Sequence, residues 1–135
     1  MLVQHPESVA IVALGEGELL AVRQPRPGAP EPTLELPSGK LDPGETPLDA
    51  AARELAEECG LAASGWREVG TFWAVPAYST ELVHVVEAIG PLTDAVGTPD
   101  EDEELEVERI PADRALELLS DAVSLAALAL WRAQT

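Results

Sequence analysis

The stretch Gly39-Lys-Leu-Asp-Pro-Gly-Glu-Thr-Pro-Leu-Asp-Ala-Ala-Ala-Arg-Glu-Leu-Ala-Glu-Glu-Cys-Gly-Leu61 carries the strongest structural signal in the 135-residue chain. Thr46 suits an N-cap, Pro47 suits the first helical position and Gly60 provides a stop, so these residues predict a helix from Thr46 to Glu58. At about 100° per residue, a narrow apolar stripe forms on the side of this helix that faces the core. Its members are Leu48, Ala52, Leu55 and Cys59.

Three carboxylates share a separate arc of the same helix: Glu54, Glu57 and Glu58, spaced i, i+3 and i+4. On an exposed helix each close pair of like charges costs roughly a few tenths of a kcal/mol. Spacing alone leaves two interpretations open. The arc is either a solvated acidic face or a metal site, because hard cations such as Mg²⁺ take carboxylate oxygens as ligands.

Composition and charge restrict the classes of protein to which the chain can belong. A hydrophobic content of 46% and a charged content of 24% are typical of a globular protein, and the length predicts a single domain over 1–135. The 25 acids and 8 bases give a net charge of −17. Such a chain repels nucleic acids and anionic membranes, so binding a polyanion requires a cation between the two.

The sequence also predicts the compartment. Cys59 is the single cysteine, so no internal disulfide forms. The first residues lack a basic region followed by an apolar run, and no stretch approaches the roughly 18 apolar residues of a membrane span. We therefore expect a cytoplasmic protein without a membrane partner.

Strands and helices are mixed along the rest of the chain. Two β-prone runs within 8–23 flank a glycine-rich turn and predict a hairpin, and the proline-rich segment 25–32 predicts a surface loop. Further strands are expected at 68–75, 82–89 and 105–110, and helices at 111–119 and 121–132. This mixture predicts an α/β or α+β class.

The spacing Gly39, five residues, Glu45, seven residues, then Arg53-Glu-Leu-Ala-Glu-Glu-Cys-Gly-Leu61 resembles the Nudix box with every defining position filled. The resemblance implies an α/β/α sandwich with a mixed central sheet, in which the box forms a loop–helix–loop. It also implies hydrolysis of a nucleoside diphosphate linked to another group. It favours the metal-site interpretation of the acidic arc.

Residue by residue, the resemblance implies that Glu54, Glu57 and Glu58 act in catalysis as ligands, or partners of ligands, of Mg²⁺, with Mn²⁺ as the alternative metal. The backbone carbonyl of Ser38 would add one more oxygen. Four further residues would support the box rather than take part in the chemistry: Gly39, Glu45, Arg53 and Gly60.

Three segments resemble the ADP-ribose pyrophosphatase branch of the family: Val22–Arg26, Glu35–Gly39 and Val75–Glu81. Pro76 lies 16 residues beyond Gly60, close to the proline that is typical of that branch. The resemblance implies that ADP-ribose is cleaved to AMP and ribose 5-phosphate. It also implies substrate contacts from four residues: Arg26, Pro76, Tyr78 and Glu81.

The acidic run 100–108 has two interpretations. Charge runs are normally solvated loops, whereas in the resembling enzymes this loop completes the site. Under the register of the strand that follows, Glu101 corresponds to the catalytic base and Glu103 to a metal ligand.

Other functions stay open at this point. Another Nudix specificity is the first alternative: a different nucleoside diphosphate sugar, a dinucleoside polyphosphate or a nucleoside triphosphate. A non-catalytic module that senses a nucleotide is the second. The resemblance implies a homodimer that exchanges an N-terminal sheet, but little chain precedes the box here, so the homodimer stays an open alternative.

Overall fold

A computed structural model describes residues 1–96 and 104–134 of the chain. Most of the strands form two four-stranded sheets, and a two-stranded pair lies apart from them. The strands are β1 (Ser8–Val12), β2 (Leu14–Gly15), β3 (Glu18–Gln24), β4 (Thr33–Glu35), β5 (Ser38–Lys40), β6 (Leu61–Ala62), β7 (Gly65–Trp73), β8 (Leu82–Ile89), β9 (Thr93–Asp94) and β10 (Glu106–Pro111). The helices are α1 (Pro47–Cys59), α2 (Ala115–Leu118) and α3 (Ala122–Arg132), with a 3₁₀ turn at Ala112–Arg114.

The first sheet has the order β5-β1-β8-β7 and is mixed. β1 runs parallel to β8 and antiparallel to β5, and β7 runs antiparallel to β8. All five residues of β1 are buried. A strand covered on both faces reads as a continuous apolar run rather than an alternation, as Val9-Ala-Ile-Val12 does.

The second sheet has the order β10-β3-β2, and β4 pairs with β3 on the same side as β2, further along that strand. The hairpin predicted over 8–23 is therefore confined to β2 and β3, which pair Leu14 with Leu19 and Gly15 with Glu18. β1 pairs with β5 and β8 instead of with β3. The prediction was wrong in this respect because the partners of β1 lie far along the chain.

Local signals place α1 as predicted, but Ala52 of the expected core stripe is exposed and Ala51 is buried instead. The Thr46 hydroxyl accepts the N–H of Asp49 at 3.1 Å, and Pro47 occupies the start of the helix. Gly60 ends it at φ 68°, where its N–H donates to the carbonyl of Ala56 at 2.9 Å. A left-handed φ at this position favours glycine.

Two apolar clusters lie on opposite sides of the strands. One cluster joins α1, through Leu55, to Ile11 and Val86. The other joins α3, through Leu128, to Val85 and other strand residues. The mixed α/β sandwich that the resemblance implies is confirmed.

The segment predicted as a helix over 111–119 is shorter than expected. It begins as a 3₁₀ turn and contains only the four residues of α2. Among the described residues, no helix combines the length and the apolar content needed to cross a membrane.

Candidate active site

A cavity of about 530 Å³ opens where α1 meets the second sheet and the strand β5. Residues from separate parts of the chain line it, including Arg26, Glu35, Ser38, Gly39, Glu54 and Glu58. It is large enough for a small-molecule ligand. The box and the three segments that resemble the ADP-ribose branch, the third through Glu81, thus meet at one cavity.

Two acids of the box share its wall. Glu58 is 7% exposed, and Glu54 lies one turn earlier on the same face of α1. Burial raises the pKa of the Glu54 carboxyl, and hydrogen bonds with Arg53 and Glu58 offset part of that rise. Removing two adjacent carboxylates from water is costly unless a cation balances them.

The donors on this wall suit a hard divalent cation. Glu54, Glu58 and the backbone of Ser38 supply oxygen, which is the ligand type that Mg²⁺ and Mn²⁺ prefer. Within 1–96 and 104–134, no three acidic, histidine or cysteine side chains are grouped closely enough to hold a metal by themselves. Mg²⁺ commonly binds one or two carboxylates and completes its shell with water and substrate phosphates, so the residues present fit it.

Gly39 lies directly against the Glu54 side chain. A Cβ built on Gly39 would lie 2.1 Å from Cδ of Glu54 and 2.2 Å from its Oε1. Only a residue without a side chain leaves this space, so the glycine sets the position of the Glu54 carboxylate beside β5.

Arg53 ties α1 to the loop that precedes it. Its Nε and Nη2 donate to the two carboxylate oxygens of Glu45, both at 2.8 Å, and Nη2 also donates to the carbonyl of Lys40 at 2.9 Å. Nη1 donates to Oε1 of Glu54 at 2.8 Å. Arg53 therefore orients a metal-ligand candidate while its other donors hold the loop.

The same bonds lower the pKa of Glu45 to about 2, mainly through the hydrogen bond from Arg53 and then through the N–H of Asp42. A carboxyl group with a depressed pKa in the folded state stabilises the fold above the unfolded pKa, here 4.5, and this contribution disappears as pH falls towards 2. We expect Glu45→Gln to destabilise the protein at pH 6, and the difference from wild type to shrink as pH approaches 2. Urea unfolding at pH 6, 4 and 2.5 measures it. A difference that stays constant across this range would contradict the assignment.

Glu57 occupies a different environment from the other two acids of the arc. Its side chain is 46% exposed and lies 3.3 Å from Nη1 of Arg53. It is not among the residues that line the cavity. The structure thus brings two of the three predicted acids to the cavity wall, and the third is not part of that wall.

Arg26 reaches the cavity but is already paired. Its Nε and Nη2 each donate to a carboxylate oxygen of Glu35 at 2.9 Å, and Thr33 donates to the same carboxylate at 2.5 Å. Burial alone would raise the pKa of Glu35, but these hydrogen bonds lower it overall. The Arg26 side chain remains 46% exposed and lines the cavity, so a ligand there can reach it.

The loop after β7 contributes Glu81. Its Oε2 accepts a hydrogen bond from the Ser8 hydroxyl at 2.6 Å, and its Oε1 lies 3.9 Å from Nδ1 of His5. Pro76 and Tyr78 belong to an exposed turn of this loop and are not lining residues of the cavity. Of the substrate contacts expected from the sequence, the structure brings Arg26 and Glu81 together in one cavity.

The remaining two predicted site residues, Glu101 and Glu103, lie outside the described residues.

Asp121 lines the cavity, and sequence reasoning did not select it as a site residue. It is the N-cap of α3, where one carboxylate oxygen accepts the N–H of Ser124 at 3.2 Å. The sequence signal for a cap is clear, because an acid precedes an apolar helix. Nothing local in the sequence indicates that this helix start faces α1 across the cavity.

Three comparisons with known proteins bear on the family. The chain is 36% identical over 121 residues to an "ADP-ribose pyrophosphatase" of Bacillus subtilis (strain 168), covering 87% of this chain and 65% of the relative. It is 32% identical over 123 residues to a "Methanol dehydrogenase activator" of Bacillus methanolicus, covering 89% of this chain and 66% of the relative. The chain thus spans slightly less than two thirds of the length of these curated relatives.

A solved structure described as an ADP compounds hydrolase superposes on this fold with a TM-score of 0.84 at 30% identity, over 95% of this chain and 71% of that one. The family model described as NUDIX domain matches residues 4–130. Together with the box acids at the cavity wall, this match shows that the chain belongs to the NUDIX domain family.

Proposed function

We propose that the protein is a divalent-metal-dependent pyrophosphohydrolase that cleaves ADP-ribose to AMP and ribose 5-phosphate. The observation that carries the proposal is that buried Glu58 and partly buried Glu54 lie side by side in a cavity that Arg26 and Glu81 also line. The similarity to the Bacillus subtilis ADP-ribose pyrophosphatase supports the choice of substrate.

The charges of the cavity support a requirement for metal. Its lining carries two permanent cations, Arg26 and Lys40. Five carboxylates oppose them: Glu35, Glu54, Glu58, Glu81 and Asp121. An anionic diphosphate would be repelled from such a wall unless divalent cations lay between the two.

In this proposal Glu54, Glu58 and the Ser38 carbonyl hold the metal, with Glu57 and Glu103 as further ligands or partners of ligands. A bound divalent cation supplies a water of lowered pKa and polarises phosphoryl oxygens. Mg²⁺ is the proposed physiological metal and Mn²⁺ the alternative.

The other residues bind and orient the substrate or move a proton. The exposed part of Arg26 contacts phosphate or ribose, and Glu81, Tyr78 and Pro76 form the loop against which the substrate lies. The oxygen of a water molecule bonds to one phosphorus while the bridging P–O bond breaks. Glu101 takes the proton released from that water.

The test measures AMP release from ADP-ribose beside other nucleoside diphosphate sugars, dinucleoside polyphosphates and nucleoside triphosphates. We expect a strong preference for ADP-ribose, complete loss of activity in excess EDTA, and recovery when Mg²⁺ is added back. Recovery that requires Mn²⁺ would correct the choice of metal.

Other outcomes of this panel distinguish the alternatives. Activity on a different compound would keep the hydrolase and overturn the substrate. A nucleotide that binds without being cleaved would favour a sensing module. The single domain over 1–135, the homodimer and the cytoplasmic location stay predictions.

A further inference from the structure

The Asp121 carboxylate is incompletely satisfied by the protein. One oxygen accepts the Ser124 N–H at 3.2 Å, whereas Oδ1 is buried and has no hydrogen-bond partner among the described residues. Burial accordingly raises the pKa of Asp121. Within 1–96 and 104–134, Oδ1 of Asp121 is the one buried side-chain oxygen or nitrogen that has no hydrogen-bond partner. Buried polar groups in native proteins are almost always paired, so such an exception calls for a partner from outside the chain.

The neighbouring cation, Arg26, does not donate a hydrogen bond to Oδ1 of Asp121. Arg26 directs both Nε and Nη2 to Glu35, although the charges of Glu58 and Asp121 both act on it. The negative charges of the box acid Glu58 and of Asp121 therefore both favour the charged form of the Arg26 guanidinium. Asp121 lines the same cavity as Glu58 but starts α3 rather than belonging to the box helix.

Capping α3 does not require an aspartate. Serine, threonine and asparagine cap helices about as well, and each uses a single acceptor atom for the bond. A carboxylate offers about four acceptor positions, of which Ser124 uses one through its N–H and a further one through its side chain. The residue that carries these acceptors lines the cavity in which the ligand is expected to bind.

We propose that Asp121 accepts a hydrogen bond from an O–H or N–H group in the non-phosphate part of the substrate, a sugar hydroxyl or a base amine. This inference rests on the proposed function. A phosphate cannot take the position, because its oxygens are acceptors and carry the same sign of charge. With the phosphates at Glu54 and Glu58, a donor group at Asp121 fixes which way round the substrate lies.

The buried oxygen becomes available through a small movement. Oδ1 has almost no exposed surface in the present side-chain position, but the side chain as a whole is only partly buried. The terminal torsion of aspartate is broad and roughly two-fold. A partial rotation about Cβ–Cγ, short of the half-turn that would only exchange two equivalent oxygens, is required to bring Oδ1 to the ligand while the other oxygen keeps the cap.

The decisive variant is Asp121→Ser, which keeps a capping hydroxyl and removes the second oxygen. We expect KM for ADP-ribose to rise about 10-fold to 100-fold, the range of a hydrogen bond to a charged group, with kcat changed much less. Asp121→Asn keeps the shape and loses the charge, and we expect a smaller rise. The midpoint of urea unfolding, which reports on the cap, is expected to stay close to that of wild type in both variants.

Two analogues of ADP-ribose identify the donor. One carries hydrogen in place of the amino group at C6 of the purine, and the other lacks the 2′-hydroxyl of the adenosine. If the loss of one donor group raises KM for wild type but not for Asp121→Ser, that group is the one that Asp121 binds. If neither analogue shows this coupling, Asp121 binds neither the base amine nor the 2′-hydroxyl of the adenosine. The inference is then overturned for both of these groups.

Failure of this inference is distinguishable from failure of the proposed function. An unchanged KM in Asp121→Ser, with wild type active on ADP-ribose, overturns the inference alone. A loss of activity that follows a loss of stability assigns Asp121 a purely structural role. If wild type does not cleave ADP-ribose, calorimetric titration of ADP-ribose into both proteins decides: equal dissociation constants, or no binding to either, overturn the inference.

Discussion

Replacing Glu58 by glutamine is expected to lower kcat for metal-dependent hydrolysis roughly 1,000-fold, since electrostatic stabilisation by a metal is worth several kcal/mol and each 1.4 kcal/mol is about tenfold in rate. Glu58 is 7% exposed and lines the cavity beside Glu54. Glutamine keeps the size of the side chain and removes the charge that a cation requires. The fold is expected to survive, because the glutamine amide can still hydrogen-bond to Glu54.

A matched control is available on the same helix. Asp49 lies in the first turn of α1, is exposed and is not a lining residue of the cavity. Asp49→Asn makes the same change in charge and is expected to leave kcat near the wild-type value. The measurements are kcat over a series of Mg²⁺ concentrations and circular dichroism of each variant. Wild-type rates for Glu58→Gln at saturating Mg²⁺ would rule out its role as a ligand.

Gly39→Ala is expected to lower kcat/KM about 100-fold with little loss of stability. The added methyl group would lie 2.1 Å from Cδ of Glu54, so the carboxylate has to move. The atoms it meets form the far end of a flexible side chain, which limits the cost in folding free energy. Displacement of a catalytic group by about 1 Å commonly costs about 100-fold in rate.

Gly15→Ala provides the comparison for this prediction. No atom lies within 4 Å of a Cβ built on Gly15, so the same chemical change occurs without a contact. Its kcat/KM is expected to match wild type. Thermal unfolding and kcat/KM of both variants make the test, and equal activities would show that Gly39 does not position Glu54.

The helix α1 was predictable because its determinants are local. The bond from Asp49 to Thr46 and the positive φ of Gly60 arise within a few residues of the helix ends. β1 differs in kind. Its apolar run is visible in the sequence, but its partner β8 lies more than 70 residues away, and no local pattern encodes that pairing.

The candidate site also contains residues that the local sequence identifies and residues that only long-range contacts bring into place. The box acids were identified from their spacing and resemblance, and two of them line the cavity. The bidentate pairing of Arg26 with Glu35 depends on the register between β3 and β4, which the sequence does not specify. Asp121 was visible only as a helix cap, because its position near α1 depends on the packing of two helices across the sheets.

The central positions of β1 and β3 have a consequence for how the chain folds. Both strands come from the first 24 residues, yet β1 needs β8 and β3 needs β10 to complete their ladders. Contacts between such distant residues slow folding, since the entropy of closing a long loop is lost before the strands are paired. During synthesis the edges of β1 and β3 that pair with β8 and β10 therefore stay unpaired until the ribosome has released most of the domain.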